Sequence, residues 1–147
     1  MLEQKLTDDI KTAMLAGNKD TVTVLRGLKA ALLNTKVAEG TRDTVMSDDK
    51  VITILSKEAK KRQESADLYI QGGNKSKADS ELSEKALIET YLPAQLTESE
   101  LSVIIDSVIS EIGPDKSNMG QIIGKSKALA GPAADGSLIA KLVKERL

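Results

Sequence analysis

Apolar residues recur along this chain at helical spacing, with no stretch of strand-like alternation, and the pattern predicts seven helices. Leu2, Leu6, Ile10 and Met14 step by four residues on a first helix that ends near Gly17-Asn18. A second helix is predicted over residues 19–37, with Val22, Leu25, Leu28 and Leu32 on one face and Ala30, Ala31 and Leu33 on its flanks. Gly27 lies inside it, and because an interior glycine costs about 1 kcal/mol against alanine, a close neighbour is expected there. Residues 38–46 read as a loop. Ser47 is placed to cap a third helix, with Asp48 and Asp49 in its first turn where carboxylates complement the helix dipole. Its apolar face is Val51, Ile54, Leu55, Ala59, Ala66 and Tyr69, its other face carries Lys57, Lys60, Lys61, Arg62 and Glu64, and Gly72-Gly73 ends it. A fourth helix, over residues 74–91, begins polar and turns apolar through Leu82, Ala86, Leu87, Ile88 and Tyr91, so its second half is expected to be buried.

Pro93 supplies no amide donor and biases Leu92 away from helical geometry, so the fourth helix is expected to stop there. Thr97-x-x-Glu100 then has the form of a capping box, with Leu96 and Leu101 in the two positions of a hydrophobic staple. These signals place a boundary at Pro93 to Leu96, giving an N-terminal helical domain over residues 1–93 and a C-terminal one over 94–147. The fifth helix carries Leu101, Ile104, Ile105, Val108, Ile109 and Ile112 up to Gly113-Pro114. A sixth is predicted from Asn118, with a weaker Asn118-x-x-Gln121 box and Met119, Ile122, Ile123 and Leu129 facing inward, and a seventh from Asp135 with Leu138, Ile139, Leu142, Val143 and Leu147. The fold class expected is all-α, a four-helix platform followed by a three-helix bundle.

Composition narrows the chemistry. Aromatic residues make up 1% of the chain, two tyrosines with neither Phe nor Trp, so the core must be aliphatic. The chain has neither cysteine nor histidine, which removes thiolate nucleophiles, Ser-His pairs, imidazole acid-base catalysis and Cys/His zinc sites. The carboxylates occupy no apolar setting that would raise a pKa, and the glycines form no GxxxxGK phosphate loop. No catalytic centre, metal site or cofactor is therefore expected. Nor is a membrane span, and a cytoplasmic address is the expectation.

Net charge is -1, so any affinity for nucleic acid must come from a local patch. From Lys116 onward there are 6 basic side chains (Lys116, Lys125, Lys127, Lys141, Lys144, Arg146) against 2 acidic ones (Asp135, Glu145). That excess reads either as an ordinary solvated face or as a phosphate-binding surface. Gly120 and Gly124 share a face of the sixth helix and leave its main chain bare, for a packed helix, the reading favoured by spacing alone, or for an RNA backbone. Asp135 reads first as an N-cap, although the free amides at that helix start could also hold a phosphate. The basic cluster of the third helix lies among Glu58, Glu64 and Asp67 and reads as intrahelical pairing. Tyr69 and Tyr91 read as packing residues and not as base-stacking platforms.

Three motifs together carry a resemblance: Tyr91-Leu92-Pro93-Ala94-Gln95-Leu96, Met119-Gly120-Gln121-Ile122-Ile123-Gly124, and Asp135-Gly136 with the helix after it. With the platform stretch Leu25-Arg26-x-x-Lys29-Ala30-Ala31-Leu32, the chain resembles the YqeY proteins over essentially its whole length. Its last third is similar to the tail of GatB, the B subunit of the glutamyl/aspartyl-tRNA amidotransferases. The resemblance implies two α-helical parts and a tail that recognises tRNA, with kinase and transamidase chemistry in domains absent here. A carbon-nitrogen ligase label, with glutamine as amide donor, travels with the family, but glutamine hydrolysis belongs to another subunit. Residue matching carries over Met119, Gly120, Gly124, Lys127, Asp135, Gly136 and Lys141 as tail-surface positions. The family commonly has Gly, a basic residue, Ala, Asp, Gly at the turn, where this chain has the longer Gly131-Pro132-Ala133-Ala134-Asp135-Gly136 without that charge. The functional expectation is a non-catalytic accessory protein binding tRNA or other structured RNA through Gly120, Gly124, Lys125, Lys127, Asp135, Gly136, Lys141 and Lys144. The alternative is a protein-interaction module docking through Met119 and Ile123, and a third reading is an enzyme assisting amide transfer.

Overall fold

The computed structural model describes residues 1–132 and 134–147. Among them are seven α-helices and no strand: α1 (Leu2–Leu15), α2 (Lys19–Ala38), α3 (Asp48–Gln71), α4 (Lys75–Glu89), α5 (Glu98–Ile112), α6 (Met119–Ala130) and α7 (Gly136–Arg146), with a 3-10 turn at Lys116–Asn118 before α6. The chain divides into two compact units, Met1–Pro93 with α1 to α4 and Ala94–Leu147 with α5 to α7. All-α architecture is what the helical spacing of apolar residues predicts.

In the first unit the core is Leu6 and Ile10 of α1, Leu25, Leu28 and Leu32 of α2, Met46 of the loop before α3, Val51, Leu55 and Ala59 of α3, and Ile88 and Tyr91 at the end of α4. Met14 is mostly exposed and Ala13 is buried in its place. The reason is geometric: each step of four residues advances about 40° around the helix, so Met14 has drifted about 120° from Leu2. Gly27 has nothing within 4 Å of where its side chain would be, and Ala30 and Leu33 are exposed, so the neighbour expected on that face of α2 is absent among the described residues. Lys36, although charged, continues the buried row of Leu25, Leu28 and Leu32. Its ammonium meets Glu3 at 2.6 Å, and the other oxygen of Glu3 accepts the Met46 amide at 2.7 Å, which ties the 39–47 loop onto α1 and α2.

Beyond Ala59, α3 and α4 pack mainly on each other through the buried Ala66 and Ala78. Of the apolar residues expected to bury the second half of α4, Ile88 and Tyr91 are buried and Leu87 packs partly against the core, while Leu82 and Ala86 are exposed. The row that faces α3 is Ala78, Glu81, Glu84, Lys85 and Ile88, spaced by three and four residues. Arg62 joins the two helices, reaching Glu84 at 3.0 Å, Glu81 at 3.9 Å and Glu58 on its own helix at 3.5 Å. Tyr91 donates its hydroxyl to Asp9, while Lys5 lies 5.1 Å from its ring centre.

The second unit has its own aliphatic core: Leu101, Ile105 and Val108 of α5, Ile122 of α6, and Ile139, Leu142 and Val143 of α7. Its entry is the capping box anticipated at Thr97, whose hydroxyl accepts the Glu100 amide while the Glu100 carboxylate accepts the Thr97 amide, both at 3.2 Å. Leu96 and Leu101 both join the core, as a staple does. Asn118 does not cap α6 with its side chain. Its amide instead donates back to the carbonyls of Ile112 and Gly113 at the end of α5, and the preceding turn is capped by Asp115. Leu129 is 60% exposed, and it is Ser126 that completes the inward row of α6.

Candidate nucleic-acid interface

The residues singled out in the sequence fall on α6, on α7 and on the turn between them, where Ala133 lies outside the described residues. On α6 the inward side is set by Met119, Ile122, Ile123, Ser126 and Ala130, which leaves Gly120, Gly124 and Lys127 together on the outward side at spacings of four and three. A side chain at Gly120 or Gly124 would meet nothing within 4 Å. The packed helix favoured for this pair is therefore not there among the described residues, and the bare main chain faces outward.

Lys125 and Lys127 are two residues apart, so they point about 160° away from each other around α6. Lys125 turns to α5 and forms an ion pair with Glu111. This separates it from the glycine side, against the expectation that all four lysines act together. Lys127 turns the other way. Its Cε and Nζ lie 3.2 Å from where a Cβ on Gly136 would be, which lays this side chain across the start of α7.

On α7 the inward positions Ile139, Leu142 and Val143 leave Ser137, Lys141 and Lys144 on the outer side. Lys141 and Lys144 line one shallow open groove with Ser137, Ala140 and Glu145. Asp135 caps the helix, its carboxylate accepting the amides of Ser137 at 2.9 Å and Leu138 at 3.4 Å. Those two amides are thereby satisfied, which is the capping role read first for Asp135. Arg146 is bound to Asp106 at 2.6 Å. Among the described residues, Lys127, Lys141 and Lys144 have no carboxylate partner.

Met119 and Ile123, the residues of the protein-docking alternative, are half-buried against the core of the second unit. The large apolar side chains most exposed in this unit are Val103 and Leu129. Leu129 is expected inward from its spacing and lies outward instead, whereas Val103 stands outside the apolar row of α5. Elsewhere, the ionisation of Tyr91 is pushed up by burial first, then by its hydrogen bond to Asp9 and the charge of that carboxylate, so its hydroxyl stays protonated at physiological pH. Among the described residues no group of three or more acidic side chains is arranged to hold a metal ion. No helix among them is long and apolar enough to cross a membrane.

Residues 3–147 match the family described as Yqey-like protein. The chain belongs to the YqeY-like family. It is similar to "Altered inheritance of mitochondria protein 41, mitochondrial" of Pyrenophora tritici-repentis (strain Pt-1C-BFP), with 21% identity over 145 residues. That alignment takes in 96% of this chain and 78% of the relative. The YqeY-like match runs through both units, so the arrangement of α6 and α7 described above belongs to the matched region.

Proposed function

We propose that this YqeY-like protein is a non-catalytic accessory module whose C-terminal unit docks on structured RNA, tRNA first among the candidates. The observation that supports this reading is the set of lysines on α6 and α7 without carboxylate partners, Lys127, Lys141 and Lys144, beside the uncovered main chain at Gly120 and Gly124. Free cations on a folded surface gain affinity for phosphates by releasing the counterions condensed on the nucleic acid. A bare helical face admits a sugar-phosphate backbone closely, and RNA with structure is recognised largely by shape and backbone contacts. The reading is independent of compartment, since the cytoplasm expected from the sequence and the mitochondrion in the relative's name both contain tRNA. What speaks against a catalytic role is that the chain has neither cysteine nor histidine and that the lysines concerned stand in the open. The protein-docking alternative is weakened by the burial of Met119 and Ile123.

Binding of a bulk tRNA preparation, followed by fluorescence anisotropy from 50 to 300 mM KCl, tests the proposal. The expected result is a linear fall of log K with log salt, with a slope of about -2 to -3 for three lysine-phosphate contacts. No binding at the lowest salt, or binding that ignores salt, defeats it.

A further inference from the structure

The chain has helical glycines of two kinds. At Gly27, Gly120 and Gly124 a side chain would enter open space. At Gly136 it would meet another residue: Cε and Nζ of Lys127 at 3.2 Å and Cδ at 3.8 Å. The backbone does not demand glycine here, because Gly136 is absent from the five glycines with positive φ (Gly17, Gly40, Gly73, Gly113 and Gly131) and occupies the first position of α7, where most residues are tolerated. What the missing side chain provides is room for Lys127. That arrangement does not serve α7, whose start is the positive end of its dipole and is disfavoured as the place for a cation. The carboxylate next to it, Asp135, is engaged by the Ser137 and Leu138 amides.

Resting on the RNA-docking reading above, we propose that Gly136 is a positioning residue. It seats the ammonium of Lys127 at the start of α7, so that Lys127, Lys141 and Lys144 form one series of cations stepped along that helix for an RNA sugar-phosphate strand. Lys141 and Lys144 stand five and eight residues beyond Gly136, roughly 7.5 and 12 Å along the helix axis. They line one shallow groove with Ser137, Ala140 and Glu145. The strand therefore lies lengthwise on α7, and Lys125, bound to Glu111 on the α5 side, takes no part.

The test compares the wild type with Gly136→Val, Lys127→Gln, the double variant and Lys125→Gln in bulk tRNA binding across the KCl series, with circular dichroism melting to confirm the fold. Gly136→Val and Lys127→Gln are each expected to lower the steepness of the salt dependence by about 0.7 to 0.9, the share of one phosphate contact. The double variant is expected to match either single one, and Lys125→Gln to match the wild type. Gly136→Ala is the conservative control: Lys127 needs to give way by only a few tenths of an ångström, so its salt slope stays near that of the wild type. Should the wild type bind with the expected slope while Gly136→Val leaves that slope unchanged, or while the two substitutions add, the seating role is overturned and the docking reading stands. Wild-type protein that fails to bind overturns both. If Gly136→Val melts early, the decision passes to Lys127→Gln, which leaves the backbone alone: an unchanged slope there removes Lys127 from the series and the proposal with it.

Discussion

Both units match some of their cations with carboxylates and leave others unmatched, and they differ in what the matched ones hold. The first unit has a part-buried pair and a cation that joins two helices, while the second leaves Lys127, Lys141 and Lys144 unmatched on α6 and α7 among the described residues. Lys36 is held by Glu3, Lys50 by Glu39, Lys61 and Arg62 by Glu58, and Lys85 by Glu89. In the second unit Lys125 and Arg146 are matched in the same way, but the lysines outward on α7 and at its start are not. Composition differs little between the two, so the difference comes from where the helices put the charges. On α3 and α4, Arg62 faces Glu81 and Glu84 across a helix pair, whereas the outer side of α7 faces no other helix of its own unit among the described residues. A folded chain gains little from lone surface lysines, and exposed pairs are themselves worth only about 0 to 1 kcal/mol. Leaving these cations unmatched is therefore nearly neutral for stability while it preserves their charge for a ligand.

The largest effect that could break this contrast is on RNA affinity. Reversing Lys127, Lys141 and Lys144 to Glu together is expected to weaken tRNA binding by roughly 100-fold at low salt, which removes about three phosphate contacts. Reversing Lys57 and Lys61 on α3 is expected to change it by less than about 3-fold, because that surface already mixes both signs. Anisotropy titrations of both variants decide the matter, and equal losses from the two would show that the units do not differ in the way argued here.

How far this was legible before any coordinates depends on the range of the interactions concerned. The Thr97-Glu100 box and the Asp135 cap could be read because donor and acceptor lie within three residues of each other. The periodicity of α6 put Gly120 and Gly124 on one face, but not whether that face was covered, since the answer rests with helices elsewhere in the chain. The two-residue spacing of Lys125 and Lys127 already sets them apart around the helix, against their grouping in one surface, while the partner that removes Lys125 is Glu111 on α5. The seat of Lys127 over Gly136 spans the turn between two helices and has no local signature. Lys36 had a signal that was overlooked: it continues the row of Leu25, Leu28 and Leu32, as Glu3 lies three residues before Leu6, and a charge on each of two inward rows is the pattern of a buried pair.

That pair sharpens the contrast from the other side, because its role is structural. The carboxyl of Glu3 is pushed up by burial, but the hydrogen bonds from Lys36 and the Met46 amide, together with the charges of Lys36 and Lys29, outweigh this and hold it below the ordinary carboxylate value. A carboxyl lowered on folding contributes stability that is fully present above its unfolded pKa, about 4.3, and is lost as pH falls through the folded value. Chemical denaturation at pH 7 is expected to show Glu3→Gln less stable by about 1 to 3 kcal/mol, since Lys36 keeps its buried position without its counter-charge. The gap between the two proteins is expected to narrow below about pH 4 as the wild type protonates, and tRNA affinity to stay within about 2-fold at pH 7. A gap that does not change with pH, or a drop in affinity, would mean that the pair does something other than hold the 39–47 loop.

The smallest effect concerns a polar group placed where the second unit is otherwise aliphatic. Ser126 is 1% exposed, and among the described residues its hydroxyl has no hydrogen-bond partner. A buried hydroxyl left unpaired costs about 1 to 3 kcal/mol, and alanine is the better helix former by up to about 0.5 kcal/mol. Ser126→Ala removes one small atom at the centre of the α6 row, so the cavity it leaves is slight and offsets part of this gain. The expected outcome is a rise in stability of about 0.5 to 1 kcal/mol by denaturant titration, with tRNA affinity unchanged, because Ser126 is buried and stands about 100 to 160° around α6 from Gly120, Gly124 and Lys127. Stability that rises together with a loss of tRNA binding would instead tie the inner row of α6 to the outer one, and the claim that docking rests on the outward cations alone would have to be given up.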